Sequence, residues 1–412
     1  MQKKYIATIL ATLTLAACGG GGGSDSTPVS ATKTGVFLDS PVSNIQYTTK
    51  NSAGDTTHTG TTNSLGEFQF ETGDTVTFSI GTFSFPAGAA STVVTPLTLV
   101  GGSTDITTNQ VATNIARLLQ SLDDDGNPAN GINIHNNAPT AVDNALALGS
   151  VNLNDNAATF AANPAVVSMV ANSGSTNTTL KAEATAQAHI VTTNEGRIVG
   201  AWQSTGPGGE FSYMIMFSDN TFVYGENDLA ATLPGENGLE VGTYSYDTAT
   251  GNVTFTISYD DNAPGTDSGV GDIGTPAVHS AVLSNGDATL TFDGTLAMNA
   301  IDFSASPLSG VWRVPSTGGA FEILLITDDG TIMLAENDLT ATLPGQNGLE
   351  VGTYTYDTTT SNATVNLFYD DNHPGFDSGI GDIGTPAVIN ATLSNSNNTL
   401  TVVGALTFTR EF

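Results

Sequence analysis

The chain has 412 residues, with 40 Asp and Glu against 9 Lys and Arg, and a net charge of −31. Such a surface repels phosphate backbones and anionic headgroups, which excludes nucleic acid as a partner, and it attracts divalent cations. Charged residues make up only 12% and hydrophobic ones 39%, enough for real cores beneath outer faces of Thr, Ser, Asn and Gly. The one cysteine, Cys18, leaves no disulfide framework.

Lys3 and Lys4 precede an apolar run over residues 6–17. That run has the length of a signal-peptide core and is shorter than the roughly 20 residues a membrane-crossing helix needs. It ends in Leu15-Ala16-Ala17-Cys18, which resembles the lipobox of bacterial lipoproteins. The resemblance implies cleavage before Cys18, a diacylglycerol on its sulfur and acylation of the new amino terminus. At about 0.8 kcal/mol per buried CH₂, several chains on one residue anchor firmly. An ordinary secretory signal with an incidental cysteine is the other reading. Residues 18–35 are a Gly- and Ser-rich tether, coil-like enough to hold a folded part off the membrane. In the lipoprotein family an Asp directly after the cysteine signals inner-membrane retention; Gly19 stands here, which implies the outer membrane. The Gly-Ser-Asp leader resembles those of surface-displayed lipoproteins. The expected location is therefore the outer membrane, lipid-anchored, at the cell surface.

Residues 36–81 carry a strand, a turn at Ser40-Pro41, a second strand and a hairpin through Ser64-Leu65-Gly66. This stretch resembles the prealbumin-like modules that open many proteobacterial lipoproteins and adhesins, which implies a β-sandwich over 36–95. Val111, Ile115, Leu118, Leu119 and Leu122 then fall at helical spacing, an amphipathic stripe whose start Thr107 or Thr108 can cap. Alanine-rich segments near 140–148, 156–171 and 179–193 extend a helical cluster over 96–196, with Pro139 and Pro164 at breaks or first turns.

The remainder repeats itself. Fifty-three residues from Glu226 align without a gap to those from Glu336, an offset of 110, with 40 identities. Gly200-Ala201-Trp202 and Gly310-Val311-Trp312 keep the same register. Residues 197–306 and 307–412 are thus two copies of one module, a period too long for a solenoid. Period-2 alternation in "FSYMIMF", "LEVGTYSYD" and "VTFTISYD", punctuated by Gly, Asn and Asp, predicts seven or eight strands per copy. Each copy should be a small antiparallel barrel or sandwich. Gly-x-Trp on the first strand followed by a meander resembles lipocalin-like barrels, and the wider pattern is similar to repeats of bacterial surface proteins. The fold class expected is mainly β with a small α segment. Trp202 and Trp312 fit core plugs.

The residues do not assemble a catalytic set. His279 aligns with Ile389 and His373 with Ala263, so neither histidine is duplicated with its module; His58, His135 and His189 are scattered. There is no G-x-S-x-G, H-E-x-x-H or phosphate-cradling loop. A non-enzyme is expected. The sharper signal is the acidic loop "YDDNAPGTDSGVGDIGTP", which recurs as "YDDNHPGFDSGIGDIGTP". Asp260, Asp261, Asp267 and Asp272 return as Asp370, Asp371, Asp377 and Asp382. Carboxylates so close repel unless neutralised, and Ca²⁺ takes six to eight oxygens of this kind; solvated Asp- and Asn-rich turns fit the same residues. "DDDGNPANG", 123–131, is a second such candidate, with a helix-ending turn as its alternative. The function expected is a non-catalytic lipoprotein held to the membrane by its anchor. It would display duplicated β-modules to extracellular matrix or another surface protein. A lipocalin-like carrier of a small apolar ligand is the alternative, and a surface hydrolase a third.

Overall fold

The computed structural model describes residues 32–101, 105–206, 210–227, 237–260, 269–285, 287–314, 320–337, 348–370, 379–402 and 406–412. Cys18 and the tether up to residue 31 lie outside them. The chain is mainly β, with an N-terminal sheet region, a few helices and two closed eight-stranded antiparallel barrels in tandem. It divides into two compact units. One holds the described residues up to Arg197 with the short segments 247–251 and 285–287; the other holds Ile198–Tyr246, Asn252–Ser284 and Ala288–Phe412.

The first unit opens with β1 (Lys33–Phe37), β2 (Val42–Ser43), β3 (Gln46–Lys50), β4 (Thr56–Thr61), β5 (Glu67–Phe70) and β6 (Thr75–Ile80). Short strands β7 (Phe83–Ser84), β8 (Gly88–Ala89) and β9 (Val93–Val94) follow. Strands β5, β1 and β9 form one sheet; β4, β3, β6 and β7 form another, with β8 also on β6. Their inner faces meet through aromatics: Phe37 of β1 stacks on Phe78 of β6 at 4.0 Å, and Phe68 of β5 meets Phe78 edge-on at 5.3 Å. Each such ring contributes about 1.5–3 kcal/mol by burial.

The hairpin expected at Ser64-Leu65-Gly66 does not form. Strand β4 pairs with β3, and β5 with β1, so the chain changes sheets at this turn. Gly66 sits at φ 73°, where a Cβ would press on the Phe37 carbonyl and the Val42 amide.

Helix α1 (Pro96–Val100) starts on a reciprocal box between Thr95 and Thr98. Helix α2 (Gln110–Ser121) carries the predicted stripe, with Ile115, Leu118 and Leu119 fully buried. Its cap is Asn109, whose side chain accepts from the Ala112 amide; Thr107 and Thr108 instead end a preceding 3-10 turn started by Asp105. The expected cap falls one or two residues early because the sequence signals the polar cluster, not which member meets the first free amide. The polar face of α2 is buried as well. Arg117 donates to the carbonyls of Lys181 and Ala157 and lies 5.7 Å over the Phe160 ring. A two-residue strand, β10 (Ile132–Asn133), pairs with β2. Helix α3 (Ala138–Leu146) follows, then α4 (Ala157–Ala162), α5 (Pro164–Asn172) and α6 (Glu183–Glu195). The segment read as one helix near 156–171 is two, because Asn163 caps α5 and Pro164 occupies its first turn.

In the second unit the first barrel is β11 (Gly200–Thr205), β12 (Phe211–Met216), β13 (Thr221–Asn227), β14 (Gly238–Asp247), β15 (Asn252–Asp260), β16 (Ala277–Ser284), β17 (Thr289–Phe292) and β18 (Leu296–Ala300). The second is β19 (Gly310–Arg313), β20 (Phe321–Ile326), β21 (Thr331–Asn337), β22 (Gly348–Asp357), β23 (Asn362–Asp370), β24 (Ala387–Ser394), β25 (Thr399–Val402) and β26 (Leu406–Arg410). Each barrel closes first strand to last, Trp202 opposite Ala300 and Trp312 opposite Arg410. Inward positions are bulky: Trp202, Met214, Phe222, Tyr244 and Phe255 in one, Trp312, Leu324, Ile332, Val365 and Phe408 in the other. Both tryptophans are buried core plugs. Their indole N–H groups donate to equivalent carbonyls, Trp202 to Ile198 at 3.0 Å and Trp312 to Leu308 at 2.9 Å.

Outward residues of β11–β14 and β19–β22 form a third core shared by the barrels, including Ile215, Val223 and Leu239 beside Leu325, Met333 and Leu349, while Thr243, Ser245, Thr353 and Thr355 stay exposed. The pairing is reciprocal. Phe211 meets Tyr369 edge-on at 5.3 Å, and Phe321, the equivalent of Phe211, meets Tyr259, the equivalent of Tyr369, at 5.6 Å. The same patch on each copy thus contacts its counterpart, the signature of an isologous interface.

Candidate functional site

The acidic loops leave and rejoin the barrels at fixed points. Asp260 and Asp370 are the last residues of β15 and β23, half-buried; Asp370 lies opposite the buried Glu350 in the ladder. Asp272 and Asp382 are exposed and open turns in which Thr275 and Thr385 donate back to their carbonyls at 3.3 and 3.1 Å. Gly274 and Gly384, at φ 85° and 82°, supply the left-handed third position of those turns. Asp261, Asp267, Asp371 and Asp377 lie outside the described residues. Among the described residues no three His, Cys, Asp or Glu side chains gather as a metal set.

A feature the sequence reading missed holds these loops. Glu226 and Glu240 in the first barrel, and Glu336 and Glu350 in the second, are buried carboxylates at 0–4% exposure. Tyr224 donates to Glu226 at 2.9 Å, and burial together with the charges of Glu226 and Glu240 pushes its phenol well above the ordinary value. Glu240 accepts the Val270 amide at 2.9 Å and Glu350 the Ile380 amide at 2.6 Å. The returning end of each acidic loop is therefore pinned to the barrel interior by a carboxylate. Gly269 and Gly379 permit it, because a Cβ at either would overlap the glutamate oxygen. The signal was present: these glutamates recur in both copies and fall in phase with inward-facing residues of their strands.

The first unit contains a cleft of about 500 Å³ lined by Ser43, Asn44, Asp123, Asp125, Asn130 and Asn133 among others. It sits where the residues after α2 fold back on β2 and β10. Asp123, 1% exposed, accepts the Asn133 amide at 2.9 Å through Oδ1, while its buried Oδ2 has no hydrogen-bond partner. Burial pushes its carboxyl up to about 6, opposed by the Asn133 amide and assisted by the neighbouring Asp125 charge. Asp125 is held lower by donors from Asn130 and the Asn127 amide, at 2.8 and 2.9 Å.

The described histidines have neighbours of their own. His279 bridges the Asp293 carboxylate at 2.7 Å and the Val270 carbonyl at 2.9 Å, a second tie on the first loop's return. His135 accepts the Asn137 amide through Nδ1 and has Asp124 3.6 Å from Nε2; Glu71 lies 3.9 Å from Nε2 of His58. His189 Nε2 lies 3.2 Å from Ser40 Oγ and 3.7 Å from buried Asp39. A triad needs the carboxylate on the ring nitrogen away from the serine; here both face the same one. His373 lies outside the described residues. The chain matches no protein-family model, and no curated protein matches it in sequence.

Proposed function

We propose that this is a non-catalytic outer-membrane lipoprotein that presents its two β-modules for adhesion to a protein of the extracellular matrix or of another cell surface. The observation that carries the reading is the duplicated outer face. Ile273 and Val278 in one barrel and Ile383 and Val388 in the other are 56–65% exposed apolar residues, outside the core the barrels share. Contiguous exposed apolar patches mark contact surfaces, and on this reading these residues form one on each barrel. Two copies joined by one core offer two weak sites at fixed separation, where the second engagement is intramolecular and avidity can exceed single-site affinity by about 10²–10⁴. The Leu15-Ala16-Ala17-Cys18 motif supports lipid anchoring. Against the carrier alternative stand the tryptophan, phenylalanine and methionine side chains that occupy the barrel interiors.

The test displays the full chain on a Gram-negative host and measures cell retention on immobilised matrix proteins. Val278→Asp with Val388→Asp should reduce retention more than tenfold, and either change alone should reduce it less. Retention equal to wild type in the double variant, or equal to that of cells without the protein in wild type, would overturn the adhesion reading.

A further inference from the structure

We propose that the turn Asp39-Ser40-Pro41 is a self-cleavage site, at which the Ser40 hydroxyl, with His189 as its proton carrier, breaks the peptide bond between Asp39 and Ser40. The site lies in the first unit, apart from the adhesive face, and the reaction occurs once per chain.

Three observations converge. Ser40 is held at φ 53°, in the left-handed region, directly before Pro41. Residues with a Cβ avoid that region, and a following proline pushes its neighbour toward extended backbone, so two preferences are violated at one residue. Among the described residues Ser40 is the only non-glycine at positive φ that precedes a proline. The flanks keep the turn from relaxing. Leu38 and Pro41 bridge each other across it, Leu38 donates to the Val94 carbonyl at 2.8 Å, and the Pro41 carbonyl accepts the Ile132 amide at 3.0 Å. Strained backbone held by its surroundings gathers at sites of chemistry. The second observation is the base. Ser40 Oγ lies 3.2 Å from His189 Nε2, on a side chain only 15% exposed. Burial holds that ring below its ordinary pKa, so at neutral pH it can accept the hydroxyl proton. The third is the acyl side of the bond. Asp39 is fully buried and burial favours its protonated form, which adds no charge beside the oxyanion that forms at its main-chain carbonyl. Turnover of a foreign ester needs the base oriented by a third group. Attack on the residue's own backbone is intramolecular and relies instead on alignment.

The steps balance with water as the only co-reactant. Ser40 Oγ gives its proton to His189 Nε2 and bonds to the Asp39 carbonyl carbon. The bond from that carbon to the Ser40 nitrogen breaks, and His189 passes the proton to the nitrogen. An ester then joins Asp39 to Ser40 Oγ, and Ser40 carries a free amine, released from the strained φ. Water hydrolyses the ester, its hydroxyl going to the Asp39 carbonyl carbon and its proton to Oγ. The products are a chain ending at Asp39 and a chain beginning at Ser40. Strand β1 stays with the first piece, paired to β5 through Lys33, Thr34, Gly35 and Val36 and to β9 through Val36 and Phe37. On the lipid-anchor reading above, the cut leaves body and anchor joined only by the hydrogen bonds and core contacts of one strand, a link that pulling can undo.

The full chain, purified in detergent, held at neutral pH and then denatured, tests this by intact mass. Wild type should yield a large fragment beginning Ser40-Pro41-Val42. Hydroxylamine, which attacks esters, should speed the cut at least tenfold and leave Asp39 as its hydroxamate. Ser40→Ala and His189→Gln should each slow it at least tenfold. Ser40→Cys should retain it through a thioester, and Pro41→Ala, which relaxes the turn, should slow it at least threefold. No cut in wild type with or without hydroxylamine, a cut only at another bond, or a cut undiminished in Ser40→Ala would overturn the proposal. Should His189→Gln not fold, wild type, Ser40→Ala and Ser40→Cys decide alone.

Discussion

Asp39 shows how one buried acid sets a pH dependence. It is fully buried, and Gln120 of α2 donates to both its oxygens at 3.1 and 3.2 Å, while Gln120 Oε1 is buried without a partner. His189 of α6 faces it at 3.7 Å, its own ring pushed below the ordinary value by burial and by Lys181. Burial pushes the Asp39 carboxyl well above the ordinary 3.8. A raised acid is favoured protonated in the folded state, so its contribution is full below the unfolded pKa and is lost as pH rises toward the folded one. The first unit should therefore lose stability as pH rises from about 4. Asp39→Asn keeps the shape and offers an N–H to Gln120 Oε1, so it should stabilise the unit by about 1–3 kcal/mol at pH 7 and change little near pH 3.5. Denaturant unfolding at the two pH values checks this; a variant less stable than wild type at pH 7 would contradict it. Trp202→Ala and Trp312→Ala should each cost about 3–5 kcal/mol, since each opens a cavity and orphans a carbonyl. Trp312 should be the costlier, because the Arg410 guanidinium lies 4.2 Å over its ring. Chemical denaturation of the second unit would rank them.

At the scale of elements, the strands were legible and their partners less so. Alternation in "VTFTISYD" names a strand because one face is apolar. But β12 is apolar on both faces, and only packing explains it: Met214 and Met216 point into the barrel while Tyr213 and Ile215 face the other barrel. The first sheet pair misled for the opposite reason. Ser64-Leu65-Gly66 carries turn chemistry, and turn chemistry does not say whether the strands it joins pair with each other. Helix α2 was found by its stripe, yet its polar face is also buried, because Asn114, Arg117 and Gln120 bond to later segments far along the chain. Of the candidate site, the acidic loops were plain in the sequence and their anchors were not, since a lone glutamate in a strand reads as solvated until the strand's phase is known. The anchors make a distinct prediction. Glu350→Leu leaves the Ile380 amide without its acceptor and should cost about 1–3 kcal/mol, whereas Glu350→Gln, which retains an acceptor, should cost less. Gly379→Ala should act like the leucine, by expelling the carboxylate. Equal effects of leucine and glutamine would mean the charge, not the hydrogen bond, holds the loop.

For the whole molecule, the lipid anchor reading predicts that Cys18→Ser moves the protein from the outer-membrane fraction to a soluble one. A substituted protein that stayed membrane-bound with its signal removed would count against the anchor. The shared barrel core makes the paired modules one body. Leu349 packs so closely on Gly225 that a Cβ there would fall 2.9 Å from it. A charge in this layer, such as Leu349→Asp, should destabilise both barrels together, visible as one broadened unfolding transition at lower denaturant. The reciprocity of Phe211 with Tyr369 and of Phe321 with Tyr259 carries a historical consequence. Two copies of a module that meet through one self-complementary patch are what gene duplication makes of a homodimer whose subunits became joined end to end. The ancestor would have been a single-barrel chain living as a pair, and the interface older than the linkage. A present-day chain cut before residue 307 should revert to that condition, its exposed patch finding the same patch on a second molecule. Sedimentation should then show a dimer.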